Sequence, residues 1–301
     1  MITVALRAII GREAWLRPGG APGTYVCRLP ALAPRLASEP WIASAEVSGG
    51  FLTVTVTHET LIEVATEITV RGSRCAESDV LRGQVVTVAT SDWLLAGDWE
   101  RARAVLAVEL TGRLAAAAGA TVTETGTTGR SDMAGAAEIA AGTRWAGRDA
   151  MRFALARMVP GGPAPDPAVI ARHVLGNPAY AVRYAHAVAA AVLRWAGTPP
   201  GEFRPRQLTG PGHLTRPAEM ALLDVLSWLP ERVAVAARRG RPDEFARYLE
   251  TLASRTIDIM HTGGHTSPEL LWLAAAARTG LGAGLALLGI SAPERLLVRG
   301  H

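Results

Sequence analysis

The pattern of apolar and polar positions divides the chain into a short mixed stretch and a long helical one. Ile2–Ile10 is an apolar run that periodicity reads equally as helix or strand, and Gly11–Gly23 is a Pro/Gly-rich connector. Leu29–Ala37 has helical spacing. Ala43–Val47 and Phe51–Thr57 alternate on either side of Ser48-Gly49-Gly50, which predicts a hairpin, and Glu59–Val70 predicts a helix after it. Gln84–Thr90 has the pattern of a buried strand. Trp99–Ala118 is an Ala-rich amphipathic helix closed by Gly119, and Thr121–Glu124 is a short strand. Residues 151–174 read as a helix, a Pro/Gly-rich loop over Pro160–Pro167 and a short helix. Four helices then follow, at about 178–196, 217–239, 242–260 and 267–288, with Thr198–Gly212 as a polar, Pro-rich loop that carries Arg204 and Arg206.

The predicted fold is therefore mostly α. An α+β module occupies residues 1–74, a reduced strand–helix–strand unit residues 75–150, and a helical bundle residues 151–301. The bundle opens at Asn177, a good helix cap, followed by Pro178, which suits a first helical turn. On that helix Tyr180, Tyr184 and Ala187 share one face, and Arg183 and Ala187 share the next. His186 points elsewhere. Two rings at a helix mouth serve either recognition or ordinary packing, and periodicity alone favours packing.

Composition sharpens the picture at several points. Of 301 residues 49% are hydrophobic but only 5% aromatic, so the core is built from Ala, Leu and Val. The formal charge is +4, a mild excess that permits RNA without requiring it. All 31 basic residues are arginines; a GC-rich codon bias accounts for this, yet it removes every lysine-dependent mechanism and leaves bidentate phosphate contacts intact. Cys27 and Cys75 are too few and too far apart for a metal site and fit a reducing cytoplasm. Residues 1–10 lack a basic region ahead of an apolar one, so no secretory signal is read, and no apolar run has the length and purity of a membrane span. His261 and His265 flank Gly263-Gly264 with no cysteine nearby, the pattern of a polar turn rather than a metal site, and no metal is expected.

Several motifs resemble one family. Asn177-Pro178-x-Tyr180-x-Val182-x-Tyr184-Ala185-His186-Ala187 resembles the signature that opens the anticodon-binding helical domain of arginyl-tRNA synthetases. Gly147-Arg148-Asp149-Ala150-Met151-Arg152-Phe153 resembles the end of that family's catalytic region. Arg216–Leu223, Phe245–Ala253 and Leu285–Leu296 resemble the later helices and terminal motif, in the family's order. Ala45-Glu46-Val47-x-Gly49-Gly50-Phe51-Leu52 with the helix after it resembles the family's N-terminal additional domain, which grips the tRNA elbow. The resemblance implies a DALR-type anticodon-binding bundle, an additional-domain-like module and a class I, Rossmann-like catalytic remnant.

The same resemblance implies that the chemistry is degraded. The family holds ATP phosphates with a His-x-Gly-His turn and a Lys-Met-Ser-Lys-Ser-type loop, because charge developing there must meet donors and cations. The first falls at Asp98-Trp99-Glu100-Arg101 and the second at Arg130-Ser131-Asp132, so Asp98, Arg101 and Asp132 stand at altered positions and Asp132 reverses a charge. After Leu252-Ala253 the family's aromatic cluster is replaced by Thr256-Ile257-Asp258-Ile259-Met260. The expected function is a synthetase-like protein that binds tRNA, arginine tRNA above all, without charging it. Its expected RNA-facing residues are Asn177, Tyr180, Arg183, Tyr184, His186, Arg238, Arg239, Arg241, Arg247 and Tyr248, with Arg232 and Arg255 nearby. For each single arginine a solvated surface is the plainer reading. No cofactor is expected, ATP entering only if activity is kept; a protein partner fits, a membrane or DNA does not. The alternatives are a protein-interaction or regulatory module blind to RNA, and an arginine–tRNA ligase that needs a partner subunit. The missing lysine argues against the last.

Overall fold

A computed structural model describes residues 1–126, 133–197, 214–262 and 267–296. The apolar run left open by periodicity is a helix, α1 (Ile2–Ile10). Strands β1 (Leu16–Pro18) and β2 (Thr24–Cys27) precede a short α2 (Ala33–Ala37), the hairpin β3 (Ile42–Ser48) and β4 (Phe51–Val56), and α3 (His58–Arg71). The four strands form an antiparallel sheet in the order β1-β2-β4-β3. Gly49 and Gly50 both take positive φ, 56° and 79°, as a two-residue hairpin turn between twisted strands requires.

The next unit is β5 (Val85–Thr90), α4 (Trp99–Ala117) and β6 (Thr121–Gly126). The two strands pair in parallel, Val85 opposite Thr121 through Thr90 opposite Gly126, so this is a single β-α-β crossover. The reading of β5 as a buried strand is corrected here. Val88 is buried but Val85 is 67% exposed, because among the described residues the two-stranded sheet packs mainly on α4.

Helices α5 (Met133–Ala146), α6 (Arg148–Arg157) and the one-turn α7 (Pro167–Ile170) lead to the bundle. The bundle consists of α8 (Pro178–Trp195), α9 (Pro217–Ser227), α10 (Leu229–Arg239), α11 (Pro242–Thr262) and α12 (Pro268–Leu287). Two expectations change. Helix α5 was not anticipated, and the single helix expected over 217–239 is two. Pro230 explains the break: it has no N–H to donate and sits in the first turn of α10, where that costs nothing.

By length and apolar composition α12 would be able to cross a membrane, with a mean hydropathy of 1.5 over its most apolar stretch, contrary to the sequence expectation. Two-thirds of that stretch is buried in this fold. It packs against α8, α11 and α3, and a helix enclosed on several sides is apolar all round.

The N-terminal module lies directly on the bundle. The Tyr25 ring stacks on Trp228 at 5.1 Å, and its hydroxyl is 2.7 Å from Ser227 Oγ. Thr3 Oγ1 donates to the Ser227 carbonyl at 3.1 Å, and Gly23 N donates to Asp224 Oδ1 at 2.9 Å. Buried side chains of both segments belong to one continuous core.

Candidate nucleic-acid interface

Two surfaces hold the residues expected to face RNA. The first forms at the start of α8. Asn177 caps that helix, accepting from Ala179 N at 3.2 Å, while its amide donates to the Ile170 and Arg172 carbonyls at 2.7 Å each. It is buried, and its side chain is used in holding α8 to the loop after α7. One turn on, Tyr180 and Tyr184 stack at 5.6 Å, as i,i+4 residues do. His173 stacks on the far side of Tyr180 at 5.4 Å. The His261 ring meets Tyr184 edge-on at 6.1 Å, with Nε2 3.3 Å from the Tyr184 hydroxyl. The result is a four-ring ladder across α8 and the end of α11. Both tyrosines are half-buried. Partial burial, and then Tyr184 alongside, push the Tyr180 hydroxyl pKa up, so it stays a neutral donor.

Arg183 lies beside the ladder. It donates to Ser291 Oγ at 3.2 Å and is 3.5 Å from Asp149 Oδ2, while its Nε is buried with no hydrogen-bond partner. A cleft of about 260 Å³ opens here between His173, Tyr180, Arg183, Pro293 and Arg295. Its contents are what unpaired bases use: flat rings for stacking and a guanidinium for phosphate. His186 is not part of it. It is buried against α12, near Gly282, with Nδ1 3.0 Å from the Pro293 carbonyl.

Residues 182–296 match the DALR anticodon binding domain family. The C-terminal bundle is of the DALR anticodon-binding type. Half of this chain is similar to curated arginine–tRNA ligases, 36% identical over 171 residues to that of Micrococcus luteus and, over 44% of the chain, 38% identical to that of Clavibacter sepedonicus. The matched part spans 30% and 25% of those ligases. Among solved structures, Thermus thermophilus arginyl-tRNA synthetase is similar with a TM-score of 0.45 and 20% identity, over 94% of this chain and 56% of that one.

The second surface is at the other end of the DALR bundle. Arg238 and Arg239 close α10, Gly240 turns the chain in the left-handed conformation at φ 61°, and Arg241 leads into α11. Arg241 pairs with Asp243 through two contacts, at 2.7 and 2.8 Å. Arg239 is 3.1 Å from Glu244, and Arg238 donates to the Arg12 carbonyl at 3.3 Å. Arg247 is exposed on α11 and Arg232 half-exposed on α10. Tyr248 is turned inward, 8% exposed, with its hydroxyl donating to the Val225 carbonyl at 2.8 Å. Helix α11 has 21 residues, so at 1.5 Å per residue its ends are about 30 Å apart. Tyr184 touches its end at His261 and the Arg238–Arg241 turn adjoins its start, so the two sets do not share one groove.

The altered catalytic positions have a local explanation. Asp98 is the N-cap of α4 and accepts from Arg101 N at 2.7 Å, and Glu100 follows in the first turn. Asp132, Arg204, Arg206 and His265 lie outside the described residues. Thr256, where the family pattern has a ring, is buried and donates to the Leu252 carbonyl at 2.8 Å. No cluster of three or more possible metal ligands occurs among the described residues. Sequence reading missed His173 and His261 as ladder members, and only the spacing of Tyr180 and Tyr184 hinted at a ladder.

Proposed function

We propose that this protein binds tRNA, arginine tRNA above all, through its DALR bundle, and does not attach an amino acid to it. The observation that carries the reading is the ring ladder His173–Tyr180–Tyr184–His261, exposed at its two histidines and half-buried between them, with Arg183 beside it, on a bundle of the anticodon-binding type. Rings supply sequence-tolerant stacking faces and the guanidinium supplies a phosphate contact, which together suit a single-stranded loop.

The absence of ligase chemistry is argued from the interior of the chain. Among the described residues between α3 and α6 there is one β-α-β unit, where a nucleotide-binding sheet needs several crossovers. The N-terminus of α4, the natural seat for an ATP phosphate, is already capped by the Asp98 carboxylate, with Glu100 beside it. Like charge there repels phosphate, and no lysine exists to offset it. On this reading the protein is cytoplasmic and needs no cofactor. Sequencing of RNA that co-purifies with the tagged protein tests the binding half: arginine tRNA should be enriched over total tRNA. ATP–pyrophosphate exchange with arginine and tRNA tests the other half and should stay at background; a clear arginine-dependent rate overturns it.

A further inference from the structure

A cleft of about 240 Å³ lies along the seam between β1 and α10, lined among others by Trp15, Arg17, Trp228, Arg232, Arg238 and Arg239. The carboxylates lining it are Glu13 and Glu231, and Glu231 is already taken by Arg7. The balance is strongly cationic. Arg17, Arg232 and Arg238 form no ion pair with a carboxylate among the described residues, and neither does Arg28 next to the cleft.

Arg17, Arg28 and Arg232 are held by rings instead, and Arg238 by the Arg12 carbonyl. The Arg17 guanidinium lies 5.0 Å from the Trp15 ring centroid and 5.7 Å from that of Phe51. Arg28 lies 5.2 and 5.4 Å from the same two rings. The β1–β2 register explains the meeting: Leu16 pairs with Cys27, which brings Trp15 and Arg28 to adjacent positions at the end of that ladder. Across the seam Arg232 repeats the arrangement over Trp228 at 5.4 Å. A ring face fixes a guanidinium by its flat side and leaves its N–H edge free, whereas a carboxylate would consume that edge. Three ring-held guanidiniums, with Arg238 beside them held through Nη2 on the Arg12 carbonyl, suit phosphodiester oxygens. Guanidinium–phosphate contacts carry no sequence information, so such a surface does not read a base.

We infer that this seam is a phosphate track, on which Arg17, Arg28, Arg232 and Arg238 hold an RNA backbone without reading sequence. It rests on the reading that the protein binds tRNA, and adds a second contact region to it: Arg238 adjoins the start of α11, about 30 Å from the ladder at its end. Backbone contacts place an RNA; the ladder then meets its unpaired bases.

The test is titration of the full chain with arginine tRNA and an unrelated tRNA at several salt concentrations. The variants are Arg17→Ala/Arg28→Ala, Arg238→Ala on a separate element, and Trp15→Leu, with circular dichroism to check the fold. The double variant should lose affinity for both tRNAs equally and flatten the log K against log salt slope by about 1.5, and Arg238→Ala by about half of that. Trp15→Leu should weaken both tRNAs although no charge is removed. A wild-type slope in the double variant and in Arg238→Ala overturns the track while leaving tRNA binding by the ladder in place. Failure of the wild type to bind tRNA overturns both readings. Polyglutamate bound as tightly as tRNA at equal salt overturns the track in favour of an acidic protein partner.

Discussion

Arg7 and Glu231, 224 residues apart in the chain, meet as a forked ion pair sealed inside the protein. Arg7 Nε donates to Glu231 Oε2 at 3.0 Å, and Nη2 donates to Oε1. Their side chains are 4% and 2% exposed. The Nη1 edge of Arg7 donates to the Gly11, Arg12 and Ala14 carbonyls, so every face of the guanidinium is used. This one pair joins α1 to α10 and orders the connector that leads into β1, one wall of the seam cleft.

Breaking it should be expensive, because the partner left behind is a buried charge with no counter-ion. Glu231→Ala should lower unfolding stability by about 3–5 kcal/mol in urea denaturation. Replacing both residues by apolar ones of similar size, Arg7→Met with Glu231→Leu, should recover most of the loss. A double change as costly as the single one would show that the carbonyl contacts of Arg7, rather than the ion pair, hold the seam.

The ring ladder makes a separable prediction. Tyr184→Ala removes a stacking face and should weaken arginine tRNA binding by about 1–3 kcal/mol in an equilibrium titration, with little change in salt slope. Arg183→Ala should reduce both affinity and slope, by about one phosphate contact. Equal, salt-dependent losses from the two changes would place the tyrosines outside the RNA contact.

His186 sets a pH limit on stability. Burial holds its pKa below the ordinary 6.5, against the pull of the Pro293 carbonyl and Glu294, and Arg278 pushes it the same way as burial. The unfolded chain therefore takes up the proton more readily than the folded one. Stability is fully present above pH 6.5 and falls as pH drops from there towards the lowered folded value. Urea midpoints at pH 7.5 and pH 5 should differ more in the wild type than in His186→Asn. An unchanged difference would assign the acid sensitivity to other groups.

The thiols should be inert in the native state. Cys75 is fully enclosed, and burial pushes its pKa up to about 12, outweighing the nearby Arg71. Cys27 is raised in the same direction by the same cause. Because the thiolate is the reactive form, neither should be alkylated at pH 8 until the protein is unfolded. Mass spectrometry after timed iodoacetamide treatment measures this, and rapid native labelling of Cys75 would show that the 3₁₀ turn over Gly72–Ala76 opens readily.

Local rules account for much of the secondary structure. The alternation around Ser48-Gly49-Gly50 sufficed for the hairpin, since period-2 burial and two glycines at positive φ are local requirements. Asn177-Pro178 sufficed for the start of α8, because a cap and a proline act on the first turn alone. The i,i+4 spacing of Tyr180 and Tyr184 was enough to put both on one face, and the order of motifs pointed to an anticodon-binding bundle before any coordinates did. Contacts between segments distant in sequence required the tertiary structure. Tyr248 was expected among the RNA-facing residues, yet it faces the core, because α9 covers that side of α11. His261 joins Tyr184 across 77 residues, and Trp15 gains Arg28 only through the pairing of β1 with β2. The sequence placed tyrosines and arginines in the same helical half; the length of α11 separated them into a ladder and a seam. Caps, turns and faces are fixed within a few residues, whereas which surfaces meet depends on how whole elements pack, and no local pattern encodes that.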